Sequence, residues 1–479
     1  MVPSDAGGGL MRGDLLSDPV EGLDEALAVV DAFDEALVAG LLRPGPAQAA
    51  GVSGLAGAVA GTPLAARVAE AAEKAAAGTG GEDHFVALAA ARNALLGSVH
   101  DALVQRIDEA VGRPVEGDET AGPEPVAAAP EEAANLLAAA RSWLCDLARG
   151  GWRGLDHELV AGAAPVVAAM LPEPGMRRRA ALLDGFAAEL AASCPGATLE
   201  RVPVRRWADL WSRALLLTVP GSAGAGAGAG GTVTGRLLPL GVDLQEHATA
   251  VQAQVHAVLE PVGGGAPRLV RASVSAPKPD TVVGAGLWQL LRPRMSLLGA
   301  VGEGRSAEVE AMPVTAEGDL LWDDALARTG EPADAFATAR VMLSAATAAR
   351  VEPLDRHPVR IAVPVLLEGY AAREGKDRLA FEVAGRLLAV DTDRMPAAGP
   401  LTPEAVAASH ACVGLLRWDA GKFLLQPLAV ETTVRKKTVA VHAGAWAGGT
   451  SDKAGVRAEK AATDAVAVLR ERAGRLLRT

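Results

Sequence analysis

The chain has 479 residues, of which half are apolar and only 3% are aromatic, and its formal net charge is −12. This length predicts more than one domain, and so few aromatic residues argue against a base-stacking surface for single-stranded nucleic acid. Residues 1–140 hold 7 Lys and Arg against 22 Asp and Glu, so the acidity belongs to the first third and disfavours phosphate binding there.

Cysteine usage and hydropathy indicate a cytoplasmic protein. Cys145, Cys194 and Cys412 are far apart and form no CxxC pair, which is typical of reduced thiols. The abundance of Ala, Gly, Arg and Pro indicates a GC-rich bacterial genome. No run of about 20 continuous apolar residues occurs, and the acidic N-terminus lacks an apolar segment, so we expect neither a membrane span nor a signal peptide.

The first 112 residues are predicted to form a disordered N-terminus at 1–18 and an acidic helical region at 19–112. From Leu23 to Leu41 apolar residues recur every three or four positions with Asp and Glu between them, which is the pattern of an amphipathic helix. Further helices are predicted at 63–77 and 83–111.

A linker rich in Pro and Glu is predicted at 113–130, because it has no apolar periodicity with which to build a core. A second helical region then spans 131–220. Near its end four residues share one helical face, and we expect them in a core rather than on a stacking platform: Trp207, Leu210, Trp211 and Leu215. Short Pro and Gly breaks between helices predict helical hairpins. The helices of this region are predicted at 131–148, 155–170, 175–193 and 204–218.

The Gly- and Ala-rich segment at 221–231 predicts a flexible linker. Its GxG patterns do not make a dinucleotide fingerprint, since a helical Leu run precedes them instead of a strand. Alternating apolar residues then predict a strand-rich α+β domain at 232–450. Strands are expected at 232–240, 247–259 (with a helix as the alternative), 268–275 and 307–314, and helices at 281–292 and 333–348.

Two hairpins are predicted in the later part of this domain. The first pairs a strand at 359–367 with one at 379–383, and Pro364 places its first strand at a sheet edge. The second pairs 413–418 with 423–434. A short helix capped by Thr402 lies between them, a further strand is possible at 438–442, and a basic amphipathic helix closes the chain at 451–479. The fold class is therefore α+β and multidomain, with N-terminal helical hairpins and a mostly antiparallel C-terminal β region with a few helices.

Motifs for catalysis, metals and cofactors do not occur. The eight histidines form no HxH, HExxH or HxxxH spacing, and neither GxxxxGK[ST] nor GxSxG is found. We therefore assign no catalytic residue, metal or cofactor, and we leave open an enzyme whose site is dispersed over the β region.

Two basic clusters are the candidate contacts with an anion or a partner: Arg435, Lys436 and Lys437, and the terminal-helix residues Arg470, Arg472, Arg475 and Arg478. Lysines on an edge strand also discourage aberrant pairing, and cations also stabilise a helix C-terminus, so structural explanations exist for both. The first third is acidic and the last helix is basic, so a further hypothesis is a contact between them, with the segment 221–231 as the hinge.

We favour a non-enzymatic protein-interaction or accessory module of the bacterial cytosol. Its partner is expected to be another protein, and no membrane contact is expected. A nucleic-acid-associated protein that uses the basic C-terminal elements is an alternative, which the overall acidity and the scarce aromatic residues disfavour.

Overall fold

Helices make up the first half of the chain, as predicted. The computed structural model describes residues 12–113, 131–219, 231–279, 281–292, 295–315, 317–348, 351–375, 378–397 and 399–476. Within these ranges the first half contains α1 (Gly13–Ser17), α2 (Leu23–Ala39), α3 (Pro46–Ala58), α4 (Ala65–Ala76), α5 (Glu82–Val111), α6 (Glu131–Gly150), α7 (His157–Ala161), α8 (Ala163–Met170), α9 (Arg177–Ala192) and α10 (Val204–Leu216).

One hydrophobic cluster draws on both predicted helical regions. Phe33 of α2 and Trp211 of α10 lie in it with ring centroids 6.4 Å apart. Trp207, Trp211 and Leu215 are fully buried, which confirms their predicted place in a core, and Leu210 packs against the same cluster while partly buried. The Trp211 indole donates a hydrogen bond to the carbonyl of Leu144 at 2.9 Å, so its polar atom is satisfied inside the core. The linker predicted between the two helical regions lies outside the described residues from 114 to 130.

The helix α3 is missing from the sequence prediction, because its Gly-rich run has a low intrinsic helix propensity. Tertiary packing overrides that propensity here. Gly51 is buried, and a Cβ atom at this position would lie 2.5 Å from the carbonyl oxygen of Ala32. Glycine therefore permits a close approach of α3 to α2 that any larger residue would prevent.

The disorder predicted for residues 1–18 is wrong for residues 13–17, which form α1. Leu15 and Leu16 pack against a cluster that also contains Val383 and Leu388 of the β region, and this burial offsets the entropy of ordering a short segment. Residues 1–11 lie outside the described residues.

The first sheet follows the segment at 221–230, which lies outside the described residues. Its strands are β1 (Gly231–Glu246), β2 (Ala250–Pro261), β3 (Arg268–Pro277), β4 (Arg305–Val314), β5 (Asp319–Leu320), β6 (Ala327–Pro332) and β7 (Thr347–Ala348), with helices α11 (Ala285–Leu291), α12 (Met295–Glu303) and α13 (Ala335–Met342). The order is β1-β2-β3-β5-β4-β6, and β1 also pairs with β4, so the pairing closes on itself. The helix considered for 247–259 is wrong, because β2 occupies most of that range.

The second sheet has the order β8-β12-β13-β11-β10-β9, with β14 paired to β13. Pro364 lies in β8 at one end of this order, as predicted for an edge strand, and the Thr402 hydroxyl caps α14 by accepting from the amide of Ala405. The elements are β8 (Val363–Glu368), β9 (Ala371–Glu374), β10 (Leu379–Val383), β11 (Arg386–Val390), α14 (Pro403–Ala407), β12 (Ser409–Asp419), β13 (Lys422–Val434), β14 (Lys437–His442) and α15 (Lys453–Leu476).

The first predicted hairpin is wrong in its pairing, whereas the second is confirmed. The strand β8 pairs with β12, and β10 pairs instead with β9 and β11. The reason is local: residues 358–360 form a 3-10 turn, and Gly369 at φ 69° redirects the chain into β9 before it returns. The second hairpin forms between β12 and β13 along their length.

Shared apolar clusters join the parts of the molecule. Val99 and Leu103 of α5 pack in one cluster with Val365 of the second sheet. Leu240 of β1 packs in another with Val413 of β12. The helical region is thus anchored on the second sheet. The terminal helix α15 instead contacts α11, beside the first sheet, and this does not match the expected contact between the acidic helices and the terminal helix across a hinge.

Candidate functional site

Three of the predicted basic residues lie together at the tip of the hairpin formed by β13 and β14, which we call the basic hairpin (residues 429–442). Arg435 and Lys436 form a two-residue turn, and Lys437 opens β14 opposite Val434. All three basic side chains are exposed. No ion pair involves them among the described residues, so their charge is available to solvent or to a binding partner.

The backbone of this turn is unusual for the residues that it carries. Arg435 has φ 49° and Lys436 has φ 66°, both in the left-handed region. A two-residue hairpin turn of type I′ requires this conformation and therefore favours Asn-Gly or Asp-Gly. Two other turns of the second sheet have the same form, and both carry glycine second: Ala384-Gly385 with φ 49° and 76°, and Ala420-Gly421 with φ 48° and 79°.

The absence of glycine from the basic turn has an energetic cost. A non-glycine residue in the left-handed region is destabilised by about 1 kcal/mol relative to glycine. Lys436 is exposed, so burial of its side chain does not offset this cost. Strain held at an exposed position without a packing reason is an indication of function.

The outer edge of β14 is open. Its pairings among the described residues are all with β13. A two-residue turn makes Val434 and Lys437 a hydrogen-bonded pair, and bonding then alternates along the strand. The backbone N–H and C=O groups of Thr438 and Ala440 consequently point away from β13, towards the free edge.

The side chains of the basic hairpin change from exposed at the tip to packed at the base. Val434 is 50% exposed and Val439 is 41% exposed, which is high for valines in a sheet. Further down, Ala440 and Val441 pack against separate apolar clusters. The His442 ring lies 6.3 Å from that of Phe336, and burial lowers the pKa of His442. The hairpin is therefore fixed at its base and presents its tip to solvent.

The terminal-helix arginines are not part of this hairpin. The helix α15 packs on α11, where the Gln289 amide donates to the Glu459 carbonyl at 3.1 Å and Arg292 forms an ion pair with Glu459. Arg472 is exposed. Arg470 and Arg475 lie within α15, but their side chains are outside the described part, and Arg478 lies beyond residue 476.

A buried charge cluster that sequence reasoning missed joins the helical region to the C-terminal half. Arg92 of α5 is fully buried and donates to both carboxylate oxygens of Asp34, at 2.6 and 2.8 Å, and to Asp209 at 2.7 Å. His357 lies 3.2 Å from the same Asp209 oxygen. Burial opposes ionisation of Asp209, but His357 and Arg92 outweigh it and lower its pKa. In the sequence, Arg92 interrupts the apolar stripe between Leu88 and Leu96, which is the signal that could have revealed it.

A second buried network lies between the two sheets. Arg417 donates to Asp243 at 2.7 Å and to the Gln426 side-chain oxygen at 2.5 Å, and Gln426 donates to Asp243 at 2.8 Å. His256 lies nearby on β2, fully buried, and within the described part of the chain its Nε2 atom has no hydrogen-bond partner. Burial and the charge of Arg271 lower the pKa of His256 to about 3. Arg417, Asp243 and Gln426 satisfy one another, which indicates a structural role for this network.

A cavity of about 390 Å³ separates α1 and the start of α2 from the second sheet. Its size is that of a small-molecule pocket. Asp18 and Arg386 face each other across it at 4.0 Å, and Ser17, Asp24 and Lys422 also line it. The Ser17 hydroxyl donates to a main-chain carbonyl of its own helix at 3.1 Å, so among the described residues it is not hydrogen-bonded to either carboxylate of the cavity.

Comparison with known proteins gives no assignment: neither a family model, nor a curated protein, nor a solved structure matches this chain. Among the described residues no group of three or more His, Cys, Asp or Glu side chains is arranged to hold a metal ion. Within the same residues no helix has the length and apolar character needed to cross a bilayer.

Proposed function

We propose that this chain is a non-enzymatic protein-interaction module that uses the tip of the basic hairpin to bind an acidic segment of another protein. The observation that carries the proposal is the turn Arg435-Lys436, in which two cations occupy left-handed positions that Asn-Gly would fill at lower cost. The bacterial cytoplasm is its proposed location, on the basis of the composition and the separated cysteines.

The contrast with the other arginines of the molecule supports this reading. Arg92 and Arg417 are buried and bound to carboxylates of the same chain. Arg435 is exposed and has no such carboxylate among the described residues. A cation held on a rigid turn without an internal counter-charge can attract an acidic partner without breaking an existing ion pair.

A protein partner is favoured over nucleic acid for two reasons. A short acidic segment can contact the hairpin tip alone, whereas a long phosphate backbone would also extend over the rest of a chain whose net charge is −12. The exposed side chains next to the turn are also valines, not the aromatic residues on which bases stack.

The test is fluorescence anisotropy at low salt with a short labelled glutamate peptide, called polyglutamate below, and with labelled single-stranded DNA as separate probes. The variant R435N/K436G removes two charges and installs the preferred turn sequence, so the hairpin is retained. We expect it to bind polyglutamate about fivefold more weakly than the wild type, which corresponds to about 1 kcal/mol for two exposed charges.

The control variant R43Q/R201Q removes two exposed charges from the helical region, and it is expected to bind polyglutamate like the wild type. Equal binding of polyglutamate by R435N/K436G and the wild type would overturn the proposal. Tighter binding of DNA than of polyglutamate, lost in R435N/K436G, would move the assignment to the nucleic-acid alternative.

A further inference from the structure

We propose that the acidic partner binds as an additional β-strand along the free edge of β14, with its acidic residues beside the Arg435-Lys436 turn. This inference rests on the proposed function and specifies how the partner is recognised. It has three requirements. The edge strand must have unpaired backbone N–H and C=O groups, its exposed side chains must contact every second residue of the added strand, and a charge must fix the position of that strand.

The main-chain requirement is met by Thr438 and Ala440. Because Val434 and Lys437 form the hydrogen-bonded pair next to the turn, the pairs Thr432–Val439 and Val430–Val441 are the other pairs bonded to β13. Thr438 and Ala440 alternate with these and present their N–H and C=O groups outwards. No hydrogen bond to these groups occurs among the described residues.

The side-chain requirement is met on one face of the hairpin. Residues that are directly opposite on paired strands share a face, so Val434, Lys437 and Val439 lie on the same side. Val434 and Val439 are the exposed apolar residues of this face. A strand added beside β14 would place every second side chain next to them, so alternating apolar residues are expected in the partner.

The positive charge at the tip of the basic hairpin determines which end of the added strand carries the acidic residues. Arg435 and Lys436 lie at the tip, beyond the last open main-chain group of β14, whereas His442 at the other end is packed against Phe336. Acidic residues of the partner are therefore expected at the end of its strand that lies next to the turn. Lysines that only protect an edge from pairing would give the opposite result, since they would keep strands away.

The experiment uses the full chain and two labelled peptides of identical sequence, a segment of alternating threonine and valine with a run of glutamates at each end, so that either strand direction places glutamates beside the turn. In the second peptide the alternate amides of the Thr-Val segment are N-methylated, which removes its main-chain donors but keeps its charge. We expect the unmethylated peptide to bind at least about tenfold more tightly, because only it can pair with β14. Hydrogen exchange at Thr438 and Ala440 should slow in its presence.

Two substitutions at one exposed position provide the matched variants. Thr438→Pro removes the outward N–H and no bond to β13, so it should bind the unmethylated peptide as weakly as the methylated one. Thr438→Val keeps the N–H and should bind like the wild type. The comparison of the two peptides on the wild-type protein does not depend on the folding of either variant.

Equal binding of the two peptides to the wild type would overturn strand addition. If R435N/K436G then weakened both equally, electrostatic docking at the tip would still stand, so the two proposals fail separately. Binding of neither peptide, slowed exchange at β8 or β9 instead of β14, or pairing of β14 with a second copy of this chain would each also overturn the inference.

Discussion

The two hairpins that share β13 have the same turn geometry but opposite surroundings. The β12–β13 hairpin is buried along most of its length, and its turn contains Gly421. The basic hairpin is exposed from Thr433 to Val439, and its turn contains Lys436. Packing and the residue preference of the turn together explain the sequence of the β12–β13 hairpin. The basic hairpin departs from that preference, although no packing requires it.

The largest effect is expected from arginine substitutions in the two hairpins. Arg417→Met in the buried hairpin leaves the Asp243 carboxylate without its cation, and loss of a buried partner costs about 3–5 kcal/mol. Arg435→Met at the exposed tip should change the free energy of unfolding by less than about 0.5 kcal/mol. Urea unfolding followed by circular dichroism measures both. Similar losses in the two variants would remove the distinction between the hairpins.

The next largest effect is expected in the pH dependence of stability, through the buried residue His256. The pKa of His256 is about 3 in the folded protein, below its ordinary value of 6.5, so the folded state favours the neutral ring. The associated stability is present above about pH 6.5 and is lost as the pH falls towards 3, with a slope of up to about 1.4 kcal/mol per pH unit. His256→Gln removes the imidazole that binds a proton when the protein unfolds. The free energy of unfolding of the variant should therefore fall less steeply between about pH 6 and pH 4. Parallel slopes for the variant and the wild type would contradict this account of His256.

The smallest effect is expected from exchanging the turn residues. Lys436→Gly should raise the free energy of unfolding by about 1 kcal/mol, because glycine adopts the left-handed conformation without strain. Gly421→Lys should lower it by about the same amount. Thermal unfolding of the two variants beside the wild type measures the exchange. A loss of stability in Lys436→Gly would mean that the lysine has a structural role in its turn.

Local patterns predicted much of the fold, whereas long-range pairing limited the prediction. The β12–β13 hairpin, the Thr402 cap and the edge position of Pro364 all follow from a few neighbouring residues, and the structure confirms them. The partner of β8 did not follow, because β10 and β12 are both apolar strands and the backbone turn at Gly369, with φ 69°, is not visible in an apolar pattern.

The candidate site was predicted in part. The run Arg435-Lys436-Lys437 lies between the strands predicted at 423–434 and 438–442, and in the structure a turn ends at Lys436 and an edge strand begins at Lys437. The positive φ angles of Arg435 and Lys436 could not be predicted, since neither residue favours them. The carboxylate partners of Arg92 and Arg417 are separated from them by 58 to 174 positions, which sequence periodicity does not relate.

Thermal unfolding of R435N/K436G and the wild type, each with and without polyglutamate, tests most directly whether the basic turn serves binding rather than stability. A ligand that binds the folded state raises its unfolding temperature. We predict that the variant unfolds at a higher temperature than the wild type without polyglutamate, and that polyglutamate raises the unfolding temperature of the wild type more than that of the variant. A variant that unfolds at a lower temperature, or that polyglutamate stabilises as much as the wild type, would contradict the account.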